Sequence, residues 1–273
     1  MSSRTEPSAA AHDAASRSLA SEIAVTVTTR VEAERAVARL ILDLVEARRL
    51  AGDGCALGLA TGGTMVGVYA ALVELAVAEG ASFEHVATVN LDEYLGLGPE
   101  HPQSFAAFMH AHLFGPLAER CGLALERTLV PDGLLAASDP IRAARLVEAR
   151  IAELGGLDLQ LLGIGRNGHL AFNEPGASHR SRTRVVALAR ATREDAAATF
   201  GGLAEVPRRA LTMGLGTILD ARRLAVLAFG AGKAEAVRTA LSGPIDRARP
   251  ASALRRHRDV SLWLDAEAAS RRP

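Results

Sequence analysis

Short apolar runs recur along this chain, and each ends in a loop of glycines or polar residues. Residues 55–60 (CALGLA) lead into Thr61-Gly62-Gly63-Thr64, and residues 86–91 (VATVNL) lead into Asp92-Glu93-Tyr94. Residues 157–165 (LDLQLLGIG) lead into a loop holding Asn167, His169, Asn173 and Glu174. Residues 224–229 (LAVLAF) lead into Gly230-Ala231-Gly232-Lys233. Apolar runs without alternation read as strands buried on both faces. Helical periodicity lies between them, over 31–50 and 65–78 for example, and further strands are expected at 23–28, 182–188 and 260–264. The pattern specifies an α/β fold with a single open, mostly parallel sheet and helices on both faces, of Rossmann-like type. In such a sheet the loops after the strands share one edge, so the four polar loops are expected to meet there.

The polar residues in these loops define the chemistry. Two glycine-rich turns open helices, where free backbone N–H groups favour an anion. Thr61, Gly62, Gly63 and Thr64 therefore read as a phosphate loop, or alternatively as a tight turn with Thr64 capping a helix. Lys233 is the single lysine in a chain whose other basic residues are all arginine. A compact ammonium beside the second glycine turn is a candidate anion grip. Asp92, His169 and Glu174 are acid/base candidates.

Other features narrow the class. Lys+Arg and Asp+Glu both number 31, so no general nucleic-acid or membrane surface is implied. No apolar run approaches the ~20 residues of a membrane span. The two cysteines form no disulfide framework and fit a reducing cytoplasm. No cysteine–histidine spacing fits structural zinc and no serine elbow is present. Proton transfer on a phosphorylated small molecule remains, with no metal or cofactor expected. Residues 1–21 read as a disordered tail and 22–273 as one catalytic domain. Residues 191–204 offer few large apolar anchors, so a lid is expected at about 184–213, with a helix over 206–213.

Taken together, LGLATGGT, VNLDEYLGL followed by HPQSFAAFM, LGIGRNGHLAFNEPG, SRTR, ALTMGLGTILDA and FGAGKAEAV resemble glucosamine-6-phosphate deaminases. 6-Phosphogluconolactonase shares the fold and a GH loop, but typically lacks the FNEP and DEY elements. The resemblance implies conversion of glucosamine 6-phosphate to fructose 6-phosphate and ammonia. His169 then matches the ring-opening acid/base, and Glu174 the group that works with it. Asp92 matches the base that moves a proton from carbon 2 to carbon 1, and Asn167 an orienting residue. The TGGT turn and Lys233 match phosphate-binding elements. The implied partner is a small amino sugar phosphate, with neither nucleic acid nor membrane, and self-association into a homo-oligomer is allowed. Some members carry a phosphate-gripping lid arginine, but that position here is Ala198, which leaves Arg190 and Arg193 as candidates to reach in. Of the allosteric site in regulated members only Ser178 and Arg184 are matched, so activation by N-acetylglucosamine 6-phosphate is not expected.

Overall fold

Among the described residues, 23–273 of a computed structural model, ten strands form two sheets. The expected tail over 1–21 lies outside them. The strands are β1 (Ala24–Val27), β2 (Cys55–Leu59), β3 (Val86–Asn90), β4 (Asp92–Tyr94) and β5 (Thr128–Leu129). They continue with β6 (Leu159–Gly163), β7 (Arg184–Ala187), β8 (Arg209–Thr212), β9 (Leu224–Ala228) and β10 (Val260–Leu264). The α-helices are α1 (Arg30–Ala51), α2 (Met65–Glu79), α3 (Phe105–Met109), α4 (Gly115–Cys121), α5 (Gly133–Ser138), α6 (Pro140–Glu153), α7 (Arg190–Phe200), α8 (Leu215–Leu219) and α9 (Ala234–Leu241).

The large sheet has the order β1-β10-β9-β6-β2-β3-β5, and every pairing in it is parallel. Strands β2, β3 and β9 are buried along their whole length, as their continuous apolar sequences require. From β2 the chain moves outward to β3 on one side and later to β6 and β9 on the other. The crevice of an open α/β sheet lies at such a reversal. The four strands β9-β6-β2-β3 are adjacent, so the four polar loops emerge side by side.

Local chemistry sets the helix ends. At the start of α1, the Thr29 hydroxyl accepts from the Glu32 N–H and the Glu32 carboxylate accepts from the Thr29 N–H. Gly52 ends the helix at φ 74°, a left-handed conformation that glycine adopts without strain. Thr64 makes no side-chain cap on α2, and the Met65 N–H closes the turn on the Gly62 carbonyl at 2.9 Å.

The second sheet, antiparallel and ordered β4-β8-β7, was not foreseen. The helix expected over 206–213 is instead β8, paired with β4 on one side and β7 on the other. Its last three residues are buried, and two-sided ladder bonding outweighs the helical pattern of so short a segment. The expected lid segment is thus tied at both ends into a sheet, with α7 between. Beneath α7 lies a second apolar cluster that includes Tyr94, Phe172, Leu188 and Val206. Phe200 packs edge-on against Tyr94 at 5.1 Å and is the one large anchor of α7.

Two buried carboxylates brace this frame. Asp158, 4% exposed, accepts from Arg48, from Arg222 at 2.9 Å and from the Ala56 N–H at 2.9 Å, joining the starts of β2 and β6. Glu93 accepts from the N–H of Tyr94 at 2.8 Å and of Ala106 at 3.1 Å, fixing α3 to β4. Burial pushes the Glu93 pKa up to about 7 despite these bonds.

Asp158→Ala is expected to lower unfolding free energy by roughly 2–3 kcal/mol, below the loss for a fully enclosed ion pair because both arginines reach solvent. Urea denaturation measures it, and a change under about 0.5 kcal/mol would contradict this bracing role. Glu93 sets a pH dependence. Between its unfolded value near 4.5 and its folded value near 7, the folded protein keeps a proton that the unfolded chain releases. Stability therefore falls as pH rises through that window, by on the order of 3 kcal/mol from this group. Glu93→Gln should flatten that decline in denaturation curves taken from pH 4.5 to 7.

Candidate active site

The four loops surround a cavity of about 630 Å³ that continues into a deeper recess of about 170 Å³. Thr61, Gly165, His169, Phe172 and Lys233 line both. Gly62 and Gly63 line the outer part, and Asp92 lines the recess. Thr64, Asn167 and Glu174 line neither. Tyr94, Phe105, Phe172 and Phe200 pack against one another at one side, with centroids 4.9–6.1 Å apart, and give that wall an apolar face.

Asp92 stands where β3 leaves the large sheet and β4 enters the small one. It is 6% exposed. Burial, then the charge of Glu93, raise its pKa well above the ordinary carboxylate value. No hydrogen bond from the described residues holds its carboxylate down, so a proton taken from a ligand would not displace an existing partner.

His169 stands opposite, on the loop after β6. Its Nδ1 is buried, lacks a hydrogen bond and lies 3.7 Å from Glu174 Oε2, an electrostatic contact rather than a hydrogen bond. Gly165 is what lets the ring lie there. A Cβ at residue 165 would fall 2.2–2.4 Å from three ring atoms of His169. No positive φ requires this glycine, so close approach of the imidazole is its constraint. Gly168, at φ 82°, does need the left-handed region, and Ala171 adopts it at φ 51° without being glycine. Such strain is held by the surroundings. Here Asn173, fully buried, donates to the carbonyls of Leu170 and Met213, and the Phe172 N–H donates to the Thr212 hydroxyl.

Glu174 stands behind His169 and is the most heavily bonded of these groups. Oε2 accepts from Asn167 Nδ2 at 2.7 Å, while Oε1 accepts from the Thr192 hydroxyl and from the Ala189 N–H. Burial pulls its pKa up, but His169, Thr192 and Asn167 outweigh burial and hold it down at about 2. Glu174 is therefore a fixed carboxylate near neutral pH, suited to stabilising a protonated His169. Asn167 Oδ1 accepts from the His169 backbone N–H at 3.1 Å, so Asn167 orients the loop and the carboxylate rather than the ring itself. Thr192 was missed in the sequence because a threonine inside a helical pattern carries no signal of a partner 18 residues away.

The two glycine turns differ. In TGGT no described residue takes the N–H groups of Gly62 and Gly63, and a Cβ on either would meet nothing within 4 Å. In GAGK the Gly230 N–H donates to Asp265 and the Ala231 N–H to Glu267. Carboxylates thus take the first two N–H groups of GAGK, whereas no described residue takes those of Gly62 and Gly63. Lys233 contributes through its ammonium alone, half-buried, with its pKa lowered by burial, raised by Asp195 and lowered by Arg166.

Arg30, also missed, joins the two turns. Its Nη2 donates to Gly63 O at 2.8 Å, its Nε to Glu34 at 2.7 Å, and its guanidinium lies 5.4 Å from the Phe229 ring centroid. Gly67 makes room for the Glu34 carboxylate. The two candidates for a lid cation are engaged elsewhere. Arg193 donates to the carbonyls of Leu203 and Val206, and Arg190 pairs with Glu194. Among the described residues no three His, Cys, Asp or Glu side chains are placed to hold a metal ion, and no helix is long and apolar enough to cross a membrane.

The chain is 50% identical over 214 residues to the glucosamine-6-phosphate deaminase of Rhodopirellula baltica, covering 78% of this chain and 83% of that one. It is 44% identical over 245 residues to glucosamine-6-phosphate deaminase 1 of Bacillus subtilis, covering 90% and 97%. A solved structure of a monomeric glucosamine-6-phosphate deaminase superimposes with a TM-score of 0.85 at 42% identity, covering 92% of this chain and all of that one. The 6-phosphogluconolactonase of Trypanosoma brucei superimposes with a TM-score of 0.73 at 21% identity, covering 91% and 98%, which is a likeness of fold. With residues 28–263 matched to its family model, the chain belongs to the glucosamine-6-phosphate isomerases/6-phosphogluconolactonase family.

Proposed function

We propose that this chain is an enzyme of amino sugar catabolism that converts glucosamine 6-phosphate and water to fructose 6-phosphate and ammonia. The observation that carries the reading is the placement of two proton-handling groups in one cavity. Asp92 lies in its recess, and His169, backed by Glu174, shares that recess and the outer cavity. Isomerisation of an aldose needs two kinds of proton transfer. Ring opening moves a proton between the anomeric hydroxyl and the ring oxygen, a task for an imidazole stabilised by a fixed carboxylate. The shift from carbon 2 to carbon 1 needs a base of raised pKa held out of water, which describes Asp92. The enolamine so formed is protonated, and water releases ammonia. The free N–H groups of Gly62 and Gly63, with Lys233, receive the 6-phosphate at the outer end.

The expected lid at 184–213 narrows to α7 as its moving part, since Thr192 alone is buried on that helix. Asp92, Asn167, His169 and Glu174 all come from one chain, so a monomer supports the reaction as well as a homo-oligomer does. Ionised sugar phosphates do not cross membranes unaided, which favours a cytoplasmic setting. Lactone hydrolysis is the weaker reading, because the lactonases resemble this chain at about 20% identity and in fold alone.

Purified protein supplied with glucosamine 6-phosphate should release ammonia and fructose 6-phosphate in equal amounts. No turnover on it or on galactosamine 6-phosphate, with hydrolysis of 6-phosphogluconolactone instead, overturns the proposal. Asp92→Asn should lower kcat by about a thousandfold while substrate binding by calorimetry persists. Gly165→Ala should push the His169 ring aside and lower kcat by roughly ten- to a hundredfold with the melting temperature little changed. Full activity in that variant would remove His169 from its assigned position.

A further inference from the structure

Three charges meet where the loop after β6, the GAGK turn and α7 approach one another. Arg166 donates through Nε to Asp195 Oδ2 at 3.1 Å and through Nη2 to Asp195 Oδ1, a two-pronged pairing. Its Cδ lies 3.6 Å from where a Cβ on Gly232 would stand, so the side chain runs along the turn that carries Lys233. Arg166 and Asp195 both act on the Lys233 charge. Asp195 lines the outer cavity beside Lys233, Gly62 and Gly63. A carboxylate in that wall would repel a phosphate dianion, unless it marks where an anion belongs.

Resting on the deaminase reading above, we propose that Arg166 is a phosphate-binding residue and that Asp195 occupies it as an internal anion until substrate arrives. The chemistry fits. A guanidinium binds a carboxylate and a phosphate with the same pair of parallel N–H donors, so one can replace the other without rebuilding the cation. Position also fits. Asp195 sits in the middle of α7, and Thr192, Ala196 and Thr199 of the same helix also line the outer cavity. In this chain the lid brings an anion, and the loop brings the second cation. Arg166 and Lys233 then face the phosphate together, and the backbone N–H groups of TGGT complete the grip. Asp195 is released towards solvent when α7 shifts, so it sets affinity by competing with the ligand for Arg166.

Binding of inorganic phosphate to the full chain, measured by calorimetry without turnover, tests this in Arg166→Ala, Asp195→Asn and the double variant. Arg166→Ala should weaken phosphate binding by about tenfold or more. Asp195→Asn should strengthen it several-fold, and that gain should vanish in the double variant. With glucosamine 6-phosphate, the same opposite shifts should fall on KM, with kcat altered by less than about threefold. If both single variants weaken phosphate binding alike, the pair is a structural latch and the proposal fails. It also fails if Arg166→Ala leaves phosphate affinity unchanged, or if the unaltered protein does not bind phosphate. Opposite shifts in a protein that does not turn over amino sugar phosphates would uphold the phosphate site and overturn the deaminase reading instead.

Discussion

Parallel pairing throughout the large sheet is the constraint from which the rest follows. Two parallel neighbours cannot be joined by a tight turn, so each strand needs a crossover back to the starting edge. Every strand therefore releases its following loop at the same edge. With β9, β6, β2 and β3 adjacent, residues far apart in sequence, from Thr61 to Lys233, meet around one cavity. The frame also explains why the site is divided in depth. Asp92 follows its strand after a single residue and stays buried, whereas Lys233 lies at the end of a longer turn and reaches the outer cavity.

Burial then separates the carboxylates into distinct kinds. Asp92 and Glu93 are neighbours in a dry environment and both are shifted upwards. Glu174 is partly buried too, yet shifted down, because it collects donors from three sources. Solvent exclusion alone does not set their protonation. Donors oppose burial at both Glu93 and Glu174: burial prevails at the more deeply enclosed Glu93, while at Glu174 His169, Thr192 and Asn167 together prevail. Neighbouring loops thereby hold one carboxylate of raised pKa and one of lowered pKa.

The sequence was most readable where a single residue type had a single physical use. Buried strands declared themselves by unbroken apolar runs, and the polar loops by their position after those runs. The resemblance of NLDEY and NGHLAFNEPG to a known family added roles to residues already singled out by chemistry. What could not be read were relations across the fold. Residues 206–213 have a helical pattern in isolation, and only β4 and β7 on either side make residues 209–212 a strand. The GAGK turn looked as free as TGGT until Asp265 and Glu267, more than 30 residues on, were found on its N–H groups. Gly165 carries no signal in the sequence that its constraint is an imidazole four residues away.

Glu174 shows how the lid and the chemistry can share one group. Its Oε1 holds Thr192 and the Ala189 N–H at the start of α7, and its Oε2 holds Asn167 and faces His169. Negative charge in a carboxylate is divided between the two oxygens according to the donors each one accepts. A movement of α7 that lengthens the Thr192 bond leaves more of that charge for Oε2. The edge-on packing of Phe200 against Tyr94 seats the far end of α7 on the same apolar wall. The start of α7 and the loop that carries His169 are thus tied together through one side chain, with no separate relay between them.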